Sequence, residues 1–142
     1  MVAASVTFTI GYSGKTIAEF LTALRRAGVK RVVDVRALPL SRKKGFSKTV
    51  LGEALSKAEI EYVHLREAGN PYRNLKADLS RCLALYSTYV HDHPEVVDAV
   101  ESAIDGEAAA LLCFEANACE CHRSVLIDRL VARCPCRKVQ HL

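Results

Sequence analysis

A chain of 142 residues, half of them hydrophobic and a quarter charged, is sized for one globular domain with a full core. No apolar run approaches the roughly 20 residues that cross a bilayer, so no membrane-spanning helix and no membrane partner are expected. A net charge of +4 admits anionic ligands but is too small by itself to indicate nucleic acid.

Val6-Thr7-Phe8-Thr9-Ile10 is β-branched and aromatic and ends at Gly11, which reads as a strand. The apolar start has no basic lead and no cleavage site, so it reads as that strand and not as a signal peptide; the expected compartment is the cytoplasm. Thr16-Ile17-Ala18-Glu19 has the form of a capping box, and Ile17, Phe20, Leu21 and Leu24 follow at helical spacing until Gly28. Val29 to Val35 reads as a second strand. A basic loop holding Arg36, Arg42, Lys43, Lys44 and Lys48 separates it from a short helix over Val50, Leu51, Ala54 and Leu55, weakened by Gly52.

Ile60 to Leu65 alternates as a third strand. Leu75, Leu79, Cys82, Leu83 and Tyr86 form a helix face. Pro94 starts the next helix, whose stripe is Val96, Val97, Val100 and Ile104. Ala108 to Phe114 is a fourth strand, residues 120–133 the last long helix, and residues 137–141 a short fifth strand. Strands alternating with helices, without hairpin signals, predict an α/β fold. The expected architecture is a single doubly wound domain over residues 1–142, with a mostly parallel sheet of about five strands and helices on both faces.

In such sheets ligands bind outside the carboxyl ends of the strands. Those ends carry Tyr12 and Ser13, then Asp34 and Arg36, then His64, then Cys113, Phe114 and Glu115. Cys121, His122 and Arg123 stand where the last helix begins, and its unpaired amides favour anions and thiolates. Asp34 and Arg36 flank one valine and share a strand face, which suits either a structural ion pair or an anion clamp oriented by its carboxylate. Cys113 and Cys121 are candidate nucleophiles, Glu115 a candidate general acid–base, and Arg36, Arg42 and Arg123 candidate anion ligands. Adjacent positions 121 and 122 are expected to point apart. Tyr12, Tyr72 and Arg73 offer stacking surfaces. His64 reads more simply as a hydrogen-bonded core residue.

Six cysteines are many for this length. Cys119, Cys121, Cys134 and Cys136 form two Cys-x-Cys pairs, a tighter spacing than zinc sites usually show. Free thiols are the leading expectation, with zinc or a disulfide as alternatives. No metal or other cofactor is assigned.

The chain resembles the domain of unknown function 488 family. The matching pieces are Thr9-Ile10-Gly11-Tyr12-Ser13, Val33-Asp34-Val35-Arg36 with Pro39 and Ser41-Arg42, Gly45-Phe46, Tyr62-Val63-His64-Leu65, Cys113-Phe114-Glu115 and Cys121-His122-Arg123. The resemblance implies a compact α/β domain and a set of positions, without a reaction. Cys113 and Cys121 match the family pattern, whereas Cys119, Cys134 and Cys136 lie outside it.

The first functional expectation is an enzyme acting on a phosphate-bearing or nucleic-acid substrate through an Arg/Glu/Cys site. Its partner is an anionic small molecule or nucleic acid. One alternative is a rhodanese-like sulfurtransferase using Cys113, although the loop from Cys113 to Arg123 is long for a persulfide cradle and holds no glycine. The other is a non-catalytic nucleic-acid-binding module using the basic loop 36–48.

Overall fold

The computed structural model describes residues 6–72, 78–115 and 121–142. The expected contributions of Leu75, Arg73 and Cys119 fall outside the described residues. Along the chain run β1 (Val6–Gly11), α1 (Ile17–Ala27), β2 (Arg31–Asp34), α2 (Lys48–Lys57), β3 (Glu61–His64), a 3-10 turn (Arg66–Ala68), α3 (Leu79–Asp92), α4 (Pro94–Ile104), β4 (Ala109–Cys113), α5 (Arg123–Arg133) and β5 (Lys138–His141).

Local chemistry explains most of these boundaries. The Thr16 hydroxyl accepts from the Glu19 amide at 3.1 Å and the Glu19 carboxylate accepts from the Thr16 amide at 3.0 Å, closing the capping box that starts α1. Gly28, at φ 76°, ends α1 in the left-handed conformation that glycine adopts at least cost. Pro94 occupies the first turn of α4, where its missing N–H removes nothing. β2 is shorter than the Val29–Val35 expectation because the Val29 amide closes α1 on Leu24 O instead of joining the sheet. The last helix starts at Arg123.

The five strands form one sheet in the order β3-β2-β4-β1-β5, every pair parallel. β4 lies between β1 and β2 and is buried along its whole length, which matches its uninterrupted apolar sequence. Alternate residues feed two cores. Val32, Ala110 and Leu112 pack with Phe20, Leu24, Leu51 and Leu55 of α1 and α2. Val33, Ala109 and Leu111 pack with Tyr86, Val97, Val100, Leu126 and Leu130 of α3, α4 and α5. The sheet is therefore doubly wound, as the alternation of elements predicted. No helix among the described residues is long and apolar enough to cross a membrane.

Register places the functional candidates. Gly11 pairs with Cys113, and Asp34 pairs with both Leu112 and His64, so the carboxyl ends of four strands share one rim. Gly69, after the 3-10 turn, packs directly on the segment leaving β2: a Cβ there would lie 2.3 Å from Ala37 Cα. Gly69→Ala is expected to cost about 1–3 kcal/mol by overpacking. Gly52→Ala, where the nearest atom to the new Cβ is Tyr62 Cδ1 at 3.7 Å, should instead gain up to about 1 kcal/mol of helix stability. Urea unfolding of the two variants checks both signs.

Candidate functional site

Asp34 ends β2 with its carboxylate fully buried, and such a group persists only with full compensation. Oδ1 accepts from the Arg36 amide at 3.0 Å and from Arg36 Nε at 2.9 Å. Oδ2 accepts from Arg36 Nη2 at 2.7 Å and from the Tyr62 hydroxyl at 2.6 Å. Arg36 Nη1 donates to Phe46 O at 2.6 Å, tying the basic loop back to the strand end. Burial opposes the Arg36 charge, but the Asp34 hydrogen bonds and charge outweigh it, so the guanidinium pKa is raised. Burial, then the hydrogen bond to Asp34, likewise raises the Tyr62 hydroxyl. The pair takes the structural form of the two readings offered for the Asp-Val-Arg step, and Arg36 also lines a cleft.

Two serines shape the loop from Arg36 to Lys48. The Ser47 hydroxyl donates to Ser41 O at 3.1 Å and accepts from the Ser41 amide at 3.0 Å. Because that hydroxyl is spent on the loop, Ser47 makes no side-chain cap at the start of α2. Phe46 enters the core and stacks on Tyr12 with ring centroids 4.5 Å apart. The Arg36 guanidinium lies 5.3 Å from the Tyr12 ring centroid.

A cleft of about 590 Å³ opens over this rim. Of the polar candidates, Tyr12, Arg36, Arg42, Cys113, Glu115 and His122 line it. Its walls also carry Leu38, Leu40, Leu79 and Phe114, exposed by 53%, 64%, 39% and 46%. Four exposed large apolar side chains around one opening is more than scattered surface exposure accounts for. Sequence reading missed Leu38 and Leu40 as site residues; the available signal was two leucines around Pro39 inside a basic loop. It also missed Asn70, which is buried at the cleft, donates to Cys82 Sγ at 3.2 Å and accepts from the Tyr72 amide at 2.8 Å.

Other candidates stand elsewhere. Ser13 reaches the rim through its backbone, donating to Phe114 O at 2.9 Å, and is outside the cleft lining. His64 Nε2 donates to Arg36 O at 2.8 Å and so positions the loop, close to the bland reading of that residue. Tyr72 packs against the second core and is not a cleft stacking surface. Arg123 is buried, so the expectation that it meets an anion directly is corrected. Its Nε donates to Cys121 Sγ at 3.3 Å and its Nη2 to Glu115 O at 2.6 Å, while burial pushes its pKa down to about 10.

The Cys113 and Cys121 sulfurs meet at bonding distance, where free thiols were expected. The strand end and the head of α5 meet there, a proximity that spacing alone does not reveal. Glu115 Oε2 stands 3.3 Å from Cys113 Sγ. Cys82, Cys134 and Cys136 remain free thiols. Among the described residues Cys121 does not group with Cys134 and Cys136, so the Cys-x-Cys zinc arrangement does not form around them.

His122 turns toward its neighbour, against the expectation that positions 121 and 122 diverge. Its Nε2 lies 2.8 Å from Val35 O, and a carbonyl only accepts, so Nε2 carries the proton. Burial pushes its pKa down to about 4, leaving a neutral ring at pH 7 whose Nδ1 lone pair lies 3.7 Å from Cys121 Sγ. Tyr86 packs edge-on to the ring with centroids 5.1 Å apart.

Removing the Asp34 carboxylate leaves a buried, unpaired guanidinium. Asp34→Ala is expected to lower stability by about 3–5 kcal/mol in urea unfolding. Tyr62→Phe, which removes one hydrogen bond from the same carboxylate, should cost only about 1 kcal/mol.

The comparison with curated proteins and the comparison with solved structures each returned no match. The family model described as domain of unknown function DUF488 matches residues 16–130, taking in Asp34, Arg36, Cys113, Glu115 and the Cys121-His122-Arg123 step. On that coverage, and with a fold that carries those residues to one rim, the chain belongs to the DUF488 family.

Proposed function

We propose that the protein is an enzyme acting on a phosphate-bearing substrate, a nucleotide or a stretch of nucleic acid, in the cleft at the carboxyl rim of the sheet. The carrying observation is one opening that combines a pre-oriented guanidinium, an exposed second one and a carboxylate beside paired sulfurs. Arg36 keeps N–H capacity that Asp34 and Phe46 do not use, and its fork suits a phosphate. Arg42, exposed on the cleft lip, supplies the second cation. Leu38, Leu40, Leu79 and Phe114 suit the flat apolar faces of a base. Glu115, half-buried at the floor, is the general acid–base in this reading. The same proposal sets the protein in the cytoplasm, where reductants keep such thiols open.

A second reading, a non-catalytic nucleic-acid-binding module, is favoured by one further observation: Arg42, Lys44 and Lys48 are exposed on the loop beside the cleft. The rhodanese-like alternative needs a free Cys113 thiol, and therefore requires the pair to be reduced.

Titration of the oxidised, isotope-labelled protein with nucleoside monophosphates and a short single-stranded oligonucleotide tests the reading by NMR. Shifts should centre on the cleft, and Arg42→Ala should weaken binding about tenfold. Nucleosides without phosphate binding equally well, or shifts confined to another face, would overturn it. For whichever panel member is turned over, Glu115→Gln should lower the rate about 100-fold with little change in affinity. Binding without turnover of any member, in the oxidised and in the reduced, zinc-loaded protein alike, would favour the module instead.

A further inference from the structure

The paired sulfurs and the imidazole make a second kind of site beneath the anion cleft. Sγ of Cys113, Sγ of Cys121 and a ring nitrogen of His122 lie within 4.8 Å of one another, and all three residues are buried. Two of the three donors are held from behind. His122 Nε2 is committed to Val35 O, so the nitrogen left with a lone pair is Nδ1, on the sulfur side. Cys121 Sγ receives the Arg123 amide at 3.4 Å and Arg123 Nε at 3.3 Å, contacts that stabilise a thiolate. Outer contacts of this kind orient metal ligands and tune their basicity.

We propose that, once the Cys113–Cys121 disulfide is reduced, Cys113, Cys121 and His122 bind a divalent cation of the zinc class. Two thiolates and a neutral imidazole match its charge and softness, and three protein ligands leave one tetrahedral position open. Cys113 and His122 both line the cleft, so that position faces the space beside Arg36 and Glu115. The proposal rests on reading that cleft as the reaction site, and adds the electrophile: a substrate oxygen entering the open position would be polarised there.

The steps balance. An external dithiol gives two electrons and two protons to the disulfide and is itself oxidised to a disulfide. Metal binding then releases two protons as the thiols become thiolates.

The probes are cobalt(II) and zinc(II) added to the phosphine-reduced full chain, with no substrate present. One equivalent of cobalt should give thiolate charge-transfer absorption and the intense visible bands of a tetrahedral ion, and zinc should displace it. Cys121→Ser should weaken binding about 100-fold or more. His122→Gln, which keeps a donor for Val35 O but lacks the ring nitrogen, should weaken it similarly without loss of the folded circular-dichroism spectrum. The Cys134→Ser/Cys136→Ser double variant should bind as the parent does. Absence of the thiolate band, unchanged affinity in His122→Gln, or loss of binding in the double variant would each overturn the proposal. Metal uptake is read in reduced protein without ligand, and ligand binding in oxidised protein without metal. Either reading can therefore fail alone.

Discussion

A guanidinium stays charged inside a protein only where something takes over from water, and the rim of this sheet is organised around one such case. The Asp34 carboxylate holds Arg36 through its backbone amide and its fork, and Tyr62 fills a remaining acceptor site. Arg36 then reaches out to Phe46 O, and Phe46 anchors the basic loop in the core against Tyr12 and Phe20. One ion pair thus sets the path of the chain out of β2 and part of the inner wall of the cleft. A pair so deeply buried contributes little net stability compared with an apolar replacement, which makes positioning the better account of its presence.

Arg123 does the parallel task on the other side of the opening. Its side chain links Cys121 to the carbonyl of Glu115, bridging the head of α5 and the end of β4. A buried arginine there keeps the sulfur pair and the carboxylate in fixed relation. The two arginines divide the work: Arg36 is braced by a carboxylate and still meets the cleft, whereas Arg123 spends its contacts inside the protein. Arg42 supplies an exposed cation at the lip. The cleft accordingly has a hydrogen-bonded floor and an apolar and basic margin.

Much of this was legible from local pattern. The Thr16–Glu19 box, the Gly28 stop, Pro94 and the uninterrupted apolar run of β4 each act within a few residues, so the chain states them directly. The rim was legible because parallel strands must present like ends together, which puts Tyr12, Asp34, His64 and Cys113 on one edge. Leu38 and Leu40 escaped notice because exposure depends on what the rest of the fold fails to cover. The burial of Arg123 escaped notice for the converse reason: the residues that enclose it come from separate segments.

The amino-acid sequence by itself determined the α/β alternation, the caps and the set of reactive side chains delivered to one edge, since periodicity and capping chemistry are short-range. Tertiary structure alone decided which of those side chains touch. It joined Cys113 to Cys121, turned the His122 lone pair toward sulfur and withdrew Arg123 from solvent. These outcomes depend on angles between packed elements, and a side chain's neighbours across such a junction are fixed by the whole fold, not by its place in the chain.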